Sequence, residues 1–139
     1  MQRIVLDTNV LVSALIGKGN PKRILELILA GSIKICLSDS VFQEYTEVLK
    51  RPKFFQYVEF HANAQKVLNS LYAIAEIIEP TEQLRQHCPD KDDDKFLELA
   101  IASTAQFLVT GNLKHFPQNL KSDFIVSPSR YLQLLRKDS

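Results

Sequence analysis

Asp90, Asp92, Asp93 and Asp94 place four carboxylates within five residues, interrupted only by Lys91. They stand directly before Lys95-Phe96-Leu97-Glu98-Leu99-Ala100-Ile101-Ala102, a stretch that reads as a helix. The positive end of that helix relieves part of their mutual repulsion, and Lys91 and Lys95 relieve more. A bound divalent cation would go further, because hard cations such as Mg²⁺ take oxygen ligands. The plain alternative is an acidic cap on a solvated surface helix.

Two further acids weigh against that alternative. Asp7 closes the apolar run Ile4-Val5-Leu6, where an uncompensated buried carboxylate is costly. Glu44 lies one turn into a segment whose apolar positions are Val41, Phe42, Tyr45, Val48 and Leu49. Taken singly, Asp7 could cap the next segment and Glu44 could be a solvated helix residue. If the three acidic sources meet, they form an oxygen-only donor set that suits Mg²⁺ or Mn²⁺ better than Zn²⁺. Such a site can activate water and stabilise in-line displacement at phosphorus. No Cys or His stands where a covalent nucleophile is expected, and there is neither a Walker lysine loop nor a G-x-G-x-x-G. Cys36 and Cys88 read as reduced structural thiols.

The elements that must position these groups alternate in type. Arg3–Asp7, Ile33–Leu37, Ala75–Glu79, Gln106–Thr110 and Asp123–Val126 read as strands. Helical periodicity covers 9–16, 21–29, a segment capped by Ser38 or Ser40, 61–71, about 92–104, and a last segment after Ser127-Pro128. The segment from Phe54 to Phe60 reads as a short helix or turn. This order predicts an α/β fold, a three-layer sandwich with a mostly parallel central sheet of four to five strands. Ligands of such sheets bind outside the carboxyl ends of the strands. Asp7, Glu44, the acidic run and Thr110-Gly111-Asn112 can all be delivered there.

The chain of 139 residues has the length of one domain, 1–139, and its 45% hydrophobic content is enough for a sizeable core. No stretch reaches the roughly 18 apolar residues of a membrane helix. Met1-Gln2-Arg3-Ile4 begins structure at once, with no room for a signal peptide, so the expected location is cytoplasmic. A net charge of +1 does not mark a general nucleic-acid binder, although Lys18, Lys22, Arg23, Lys50, Arg51 and Lys53 supply local basic groups.

Four segments in order carry a resemblance: Ile4-Val5-Leu6-Asp7-Thr8-Asn9-Val10-Leu11-Val12-Ser13, Glu44, Asp92-Asp93-Asp94-Lys95-Phe96-Leu97-Glu98-Leu99-Ala100, and Leu108-Val109-Thr110-Gly111-Asn112. Together they resemble a PIN domain of the kind found in VapC-like toxins of toxin–antitoxin systems, across nearly the whole chain. The resemblance implies a metal-dependent ribonuclease using Mg²⁺ or Mn²⁺, an RNA substrate, an antitoxin partner and a homodimer or higher oligomer. It carries the family's metal-binding and catalytic acids onto Asp7, Glu44 and Asp94, with Asp93 as the close alternative to Asp94. Asn112 occupies the place where many PIN domains have a fourth acid, and an amide oxygen can ligate without adding charge. Thr8, Asn9, Ser13, Thr110 and Asn112 are the corresponding substrate-binding candidates, although Thr8, Asn9 and Ser13 serve equally well as groups at the start of the first helix. His115 reads as a loop histidine with a possible phosphate contact, while His61 and His87 receive no role.

Two other classes compete. A receiver-like phosphoacceptor domain also places an aspartate and a threonine at strand ends, but Asp7-Thr8-Asn9 lacks its paired acids and Phe124-Ile125-Val126 lacks its lysine. A PIN fold that binds RNA or protein without cleaving it is the nearer alternative, favoured by Asn112 and the low net charge.

Overall fold

The computed structural model describes residues 1–81, 88–117 and 124–137; His87 and Asp123, the expected start of the fifth strand, lie outside the described residues. The strands β1 (Arg3–Leu6), β2 (Lys34–Leu37), β3 (Glu76–Ile77), β4 (Phe107–Val109) and β5 (Ile125–Val126) form one sheet in the order β3-β2-β1-β4-β5. Every pairing is parallel. The helices α1 (Thr8–Ile16), α2 (Asn20–Leu29), α3 (Asp39–Leu49), α4 (Phe60–Ile74), α5 (Asp94–Ala102) and α6 (Pro128–Lys137) flank it. This is the expected α/β sandwich.

The central position of β1 follows from its composition. Ile4, Val5 and Leu6 are buried, as a strand covered on both faces must be, and they read as a continuous apolar run rather than an alternating one. From β1 the chain steps outward to β2 and β3, then returns to the other side of β1 for β4 and β5. Right-handed crossovers place the connecting helices of the two halves on opposite faces. The reversal between β1 and β4 is therefore a switch point with an opening at the strands' carboxyl ends. Asp7 directly follows β1 and Thr110 directly follows β4, so both stand at that opening.

Local chemistry fixes the elements that bring the other acids there. Ser38 caps α3, its Oγ accepting from the Val41 N–H at 3.3 Å, so Glu44 falls in the second turn. Gly31 ends the α2 turn at a φ of 83°, a left-handed conformation open to glycine at no steric cost. The segment after α3 is a 3₁₀ turn, Pro52–Gln56, held by Phe54 stacking on Phe60 at 4.5 Å. The acid-led helix divides into two: a 3₁₀ turn over Lys91–Asp93, capped by Asp90 Oδ1 accepting from the Asp92 N–H at 3.0 Å, precedes α5.

Tyr45 ties α3 to the end of β1. Its ring is fully buried and its hydroxyl donates to the Leu6 carbonyl at 2.6 Å. Burial pushes the phenol's pKa well up, which keeps the proton in place. Tyr45→Phe is expected to cost about 1–2 kcal/mol, the scale of a buried hydrogen bond whose acceptor loses its donor. Denaturant unfolding with an unchanged m-value would measure it; unaltered stability would show that the bond contributes nothing.

Candidate active site

A pocket of about 420 Å³ opens at the switch point, lined by Asp7, Thr8, Asn9, Glu44, Asp93 and Lys95 together with Glu47, Val48, Arg51, Asp90, Asp92 and His115. Acids from β1, α3 and the turn before α5 thus share one cavity.

Asp7 is the most enclosed of them, with 4% of its surface exposed. Its side chain does not cap α1; Oδ2 instead accepts from the Thr110 hydroxyl at 2.7 Å. Burial raises its pKa above the ordinary value of 3.8. The Thr110 hydrogen bond opposes that shift, the negative charge of Glu44 adds to it, and the Thr8 and Asn9 backbone N–H groups oppose it. Thr110 is itself fully buried, and its Oγ1 also accepts from the Asn112 N–H at 3.0 Å. The Thr110 hydroxyl is thus turned toward Asp7, and Thr110 is not among the residues lining the pocket.

Glu44 is held at both oxygens. Oε2 accepts from the Thr8 hydroxyl, and Oε1 pairs with Lys95 Nζ at 2.9 Å. Thr8, a substrate-binding candidate from the sequence, is buried, lines the pocket and donates to Glu44.

The structure separates the two neighbouring acids that sequence left as alternatives. Asp93 lines the pocket, and its pKa is pushed up to about 6, first by burial and next by the charge of Asp7, with smaller contributions from Asp90 and Glu44. His115 opposes the shift; its Nδ1 stands 3.7 Å from Asp93 Oδ2. Asp94 is buried, and its Oδ1 accepts from the Cys88 N–H at 2.8 Å. It is not among the residues lining the pocket. Adjacent residues in a helical turn point about 100° apart, so one of them faces the cavity while the other braces the loop. Of the two, Asp93, the close alternative in the expected site, lines the pocket, while Asp94, expected as the third acid, accepts from Cys88 instead.

Asn9 is exposed and lines the pocket. Ser13 is exposed further along α1, and Asn112 is half-buried; neither lines the pocket. Lys95, Arg51 and His115 also line the pocket; the sequence signals were a cation immediately after an acidic run for Lys95, a local basic group for Arg51 and a loop phosphate contact for His115.

The donor set suits a hard divalent cation: carboxylate oxygens from Asp7, Glu44 and Asp93 in one cavity, two of them disfavoured in ionised form. Among the described residues, no three Asp, Glu, His or Cys side chains stand ready-converged to hold an ion. Glu44 instead has Thr8 and Lys95 as its partners.

Comparison with known proteins bears on this geometry. A family profile described as PIN domain matches residues 3–114. An uncharacterized protein of Methanocaldococcus jannaschii is 34% identical over 111 residues, covering 79% of this chain and 70% of that one. Among solved structures, VapBC2 from Rickettsia felis, bound to a DNA fragment from their promoter, superposes with a TM-score of 0.60. The match is 21% identical and covers 91% of this chain and 98% of that chain.

Proposed function

This chain belongs to the PIN domain family, and on that premise we propose that it is a Mg²⁺- or Mn²⁺-dependent endoribonuclease, the toxin of a toxin–antitoxin pair acting in the cytoplasm. The observation that carries the reading is the meeting of Asp7, Glu44 and Asp93 in one cavity at the switch point of a parallel sheet. Asp7, Glu44 and Asp93 would hold the ion, which when bound supplies an activated water and neutralises charge gathering at the phosphorus. Thr110 orients Asp7 and Thr8 orients Glu44 through the hydrogen bonds described. Arg51 and Lys95 offer cationic groups to a phosphodiester backbone at the wall of an otherwise acidic pocket. Asn9 presents an exposed amide at the same rim.

The choice of RNA over DNA follows the toxin reading, since no pocket residue is assigned to a 2′-hydroxyl. An antitoxin partner is supported by the VapBC2 likeness and by an apolar surface. Val58 is 89% exposed and lines a cavity with Leu15, Ile16, Tyr57 and Phe60, with Gln56 and Asn63 as its polar members. Exposed apolar groups gathered in one place mark interaction surfaces. No helix among the described residues is long and apolar enough to cross a membrane. Self-association as a homodimer or higher oligomer completes the proposal and is read by light scattering.

The test is cleavage of single-stranded RNAs of varied sequence by purified protein with Mg²⁺ or Mn²⁺, with chelator and single-stranded DNA as controls. Metal-dependent RNA cleavage is expected. Metal binding without cleavage of any RNA would favour the non-catalytic binding module instead.

Proton linkage gives a second measurement. With Asp93 at about 6, cation binding is expected to release protons and to tighten as pH rises through that value. Calorimetry in buffers of different ionisation enthalpy reads the release; none near pH 6 would contradict the site. In chelator the sign reverses for folding. Asp93 binds its proton more tightly folded than unfolded, so its contribution is fully present below about 4 and is lost as pH rises through about 6.

A further inference from the structure

The Lys95–Glu44 pair has features that helix stability does not explain. A cation in the first turn of α5 lies at the wrong end of the helix macrodipole. Carboxylates closer in sequence stand at Asp92 and Asp93. Lys95 nevertheless reaches across the pocket to Glu44, 51 residues away on α3, and meets Oε1 at 2.9 Å. The two side chains are only 27% and 23% exposed, so solvent screens them incompletely. Thr8 holds the other Glu44 oxygen. Both oxygens of this acid are therefore engaged, one of them by a full positive charge.

We propose that Lys95 is an exchangeable counter-cation of the pocket: its ammonium occupies Glu44 until a divalent cation displaces it, so that Lys95 and the metal compete for the same carboxylate. The inference rests on the metal-binding reading above and goes beyond it by assigning a residue that sets the metal affinity. A divalent ion and an ammonium on one carboxylate oxygen repel each other, so occupancy by one weakens the other. Linkage makes that antagonism reciprocal. Lys95 thereby sets a concentration threshold below which Glu44 stays with the lysine. The bond that breaks is an ion pair only, and no proton is lost, because the displaced ammonium turns into the open cavity or solvent.

The experiment compares wild type, Lys95→Met and Lys95→Arg by calorimetric titration with Mg²⁺ and Mn²⁺, and by melting with and without each ion. Methionine keeps an unbranched chain and removes the charge. Lys95→Met is expected to bind the ions on the order of tenfold more tightly. It should melt lower than wild type in chelator and show the larger metal-induced rise in Tm. Lys95→Arg, which keeps the charge, should stay near wild type. A second readout needs no variant: the Lys95 ammonium signal in NMR of the wild-type protein should move to the position of a solvated lysine on addition of Mg²⁺. Equal or weaker metal binding by Lys95→Met, with the wild type still binding, overturns the exchange and leaves the metal site standing; Lys95 would then be a brace that orients Glu44. If neither protein binds a divalent ion, the exchange and the metal reading fall together. A Lys95 signal unmoved while Mg²⁺ binds overturns the exchange alone.

Discussion

Asp7→Asn is expected to lower metal-dependent RNA cleavage by about 10³-fold while leaving the chain folded. Asn keeps the volume and an oxygen that can accept from the Thr110 hydroxyl, so the link between β1 and β4 survives. What disappears is the negative charge of the most enclosed acid of the pocket. Stability should hold or rise. Burial lifts the pKa of Asp7, and Glu44 adds to the shift, so ionised Asp7 is disfavoured in the folded chain relative to the unfolded one. That penalty grows as pH rises through the titration of the folded group. The melting advantage of Asp7→Asn over wild type should therefore widen from acid to neutral pH when both are measured in chelator. Single-turnover cleavage and melting curves on the same samples test both halves. A variant that cleaves within about tenfold of wild type would remove Asp7 from the proposed catalytic set.

The second large effect separates Asp93 from Asp94. Asp93→Asn should reduce cleavage by about 10²–10³-fold with little change in stability, because it faces the cavity and carries a pKa already raised to about 6. Asp94→Ala should do the opposite. It leaves the Cys88 N–H without its carboxylate acceptor, at a cost of about 1–3 kcal/mol, while cleavage per folded molecule stays within severalfold. Cys88 adds a spectroscopic check. Burial first, and then the Asp94 hydrogen bond, push its thiol up to about 12, so removal of Asp94 should make it more reactive toward thiol reagents at neutral pH. If Asp94 variants lose cleavage and keep stability, the two residues exchange roles.

These residues also mark where sequence reading succeeds. Apolar runs ending in a polar group located β1, β2 and β4, because buried parallel strands leave little freedom in composition. Proline and serine signals located α2, α3 and α6 for equally local reasons. The strands at the edges were less legible. Ala75–Glu79 shrinks to the two-residue β3, since Pro80 and a partly exposed edge leave little to pair. The split of the acidic helix was invisible, because a 3₁₀ turn and an α turn use the same residue types. That split sets which of Asp93 and Asp94 faces the cavity. The place of Thr110 was legible only in part. Its position at a strand end was evident, but burial depends on what packs from elsewhere, and the hydroxyl turns inward to Asp7. The pairing of Lys95 with Glu44 joins two helices and has no local signature at all.

The Asp7–Thr110 hydrogen bond spans 103 residues of chain, and this separation bears on timing. Ribosomes extend a chain at roughly 5–20 residues per second, so Asp7 precedes the group that orients it by about 5–20 seconds. β1 is synthesised first, yet its pairing with β4 must wait for Phe107–Val109. Until then the side of β1 that pairs with β4 through Ile4, Val5 and Leu6 lacks that partner. The Asp7–Thr110 pair is thus a late product of translation, while the central strand is an early one. The acids gathered at the switch point therefore acquire their shared surroundings only after β4 has emerged and paired with β1.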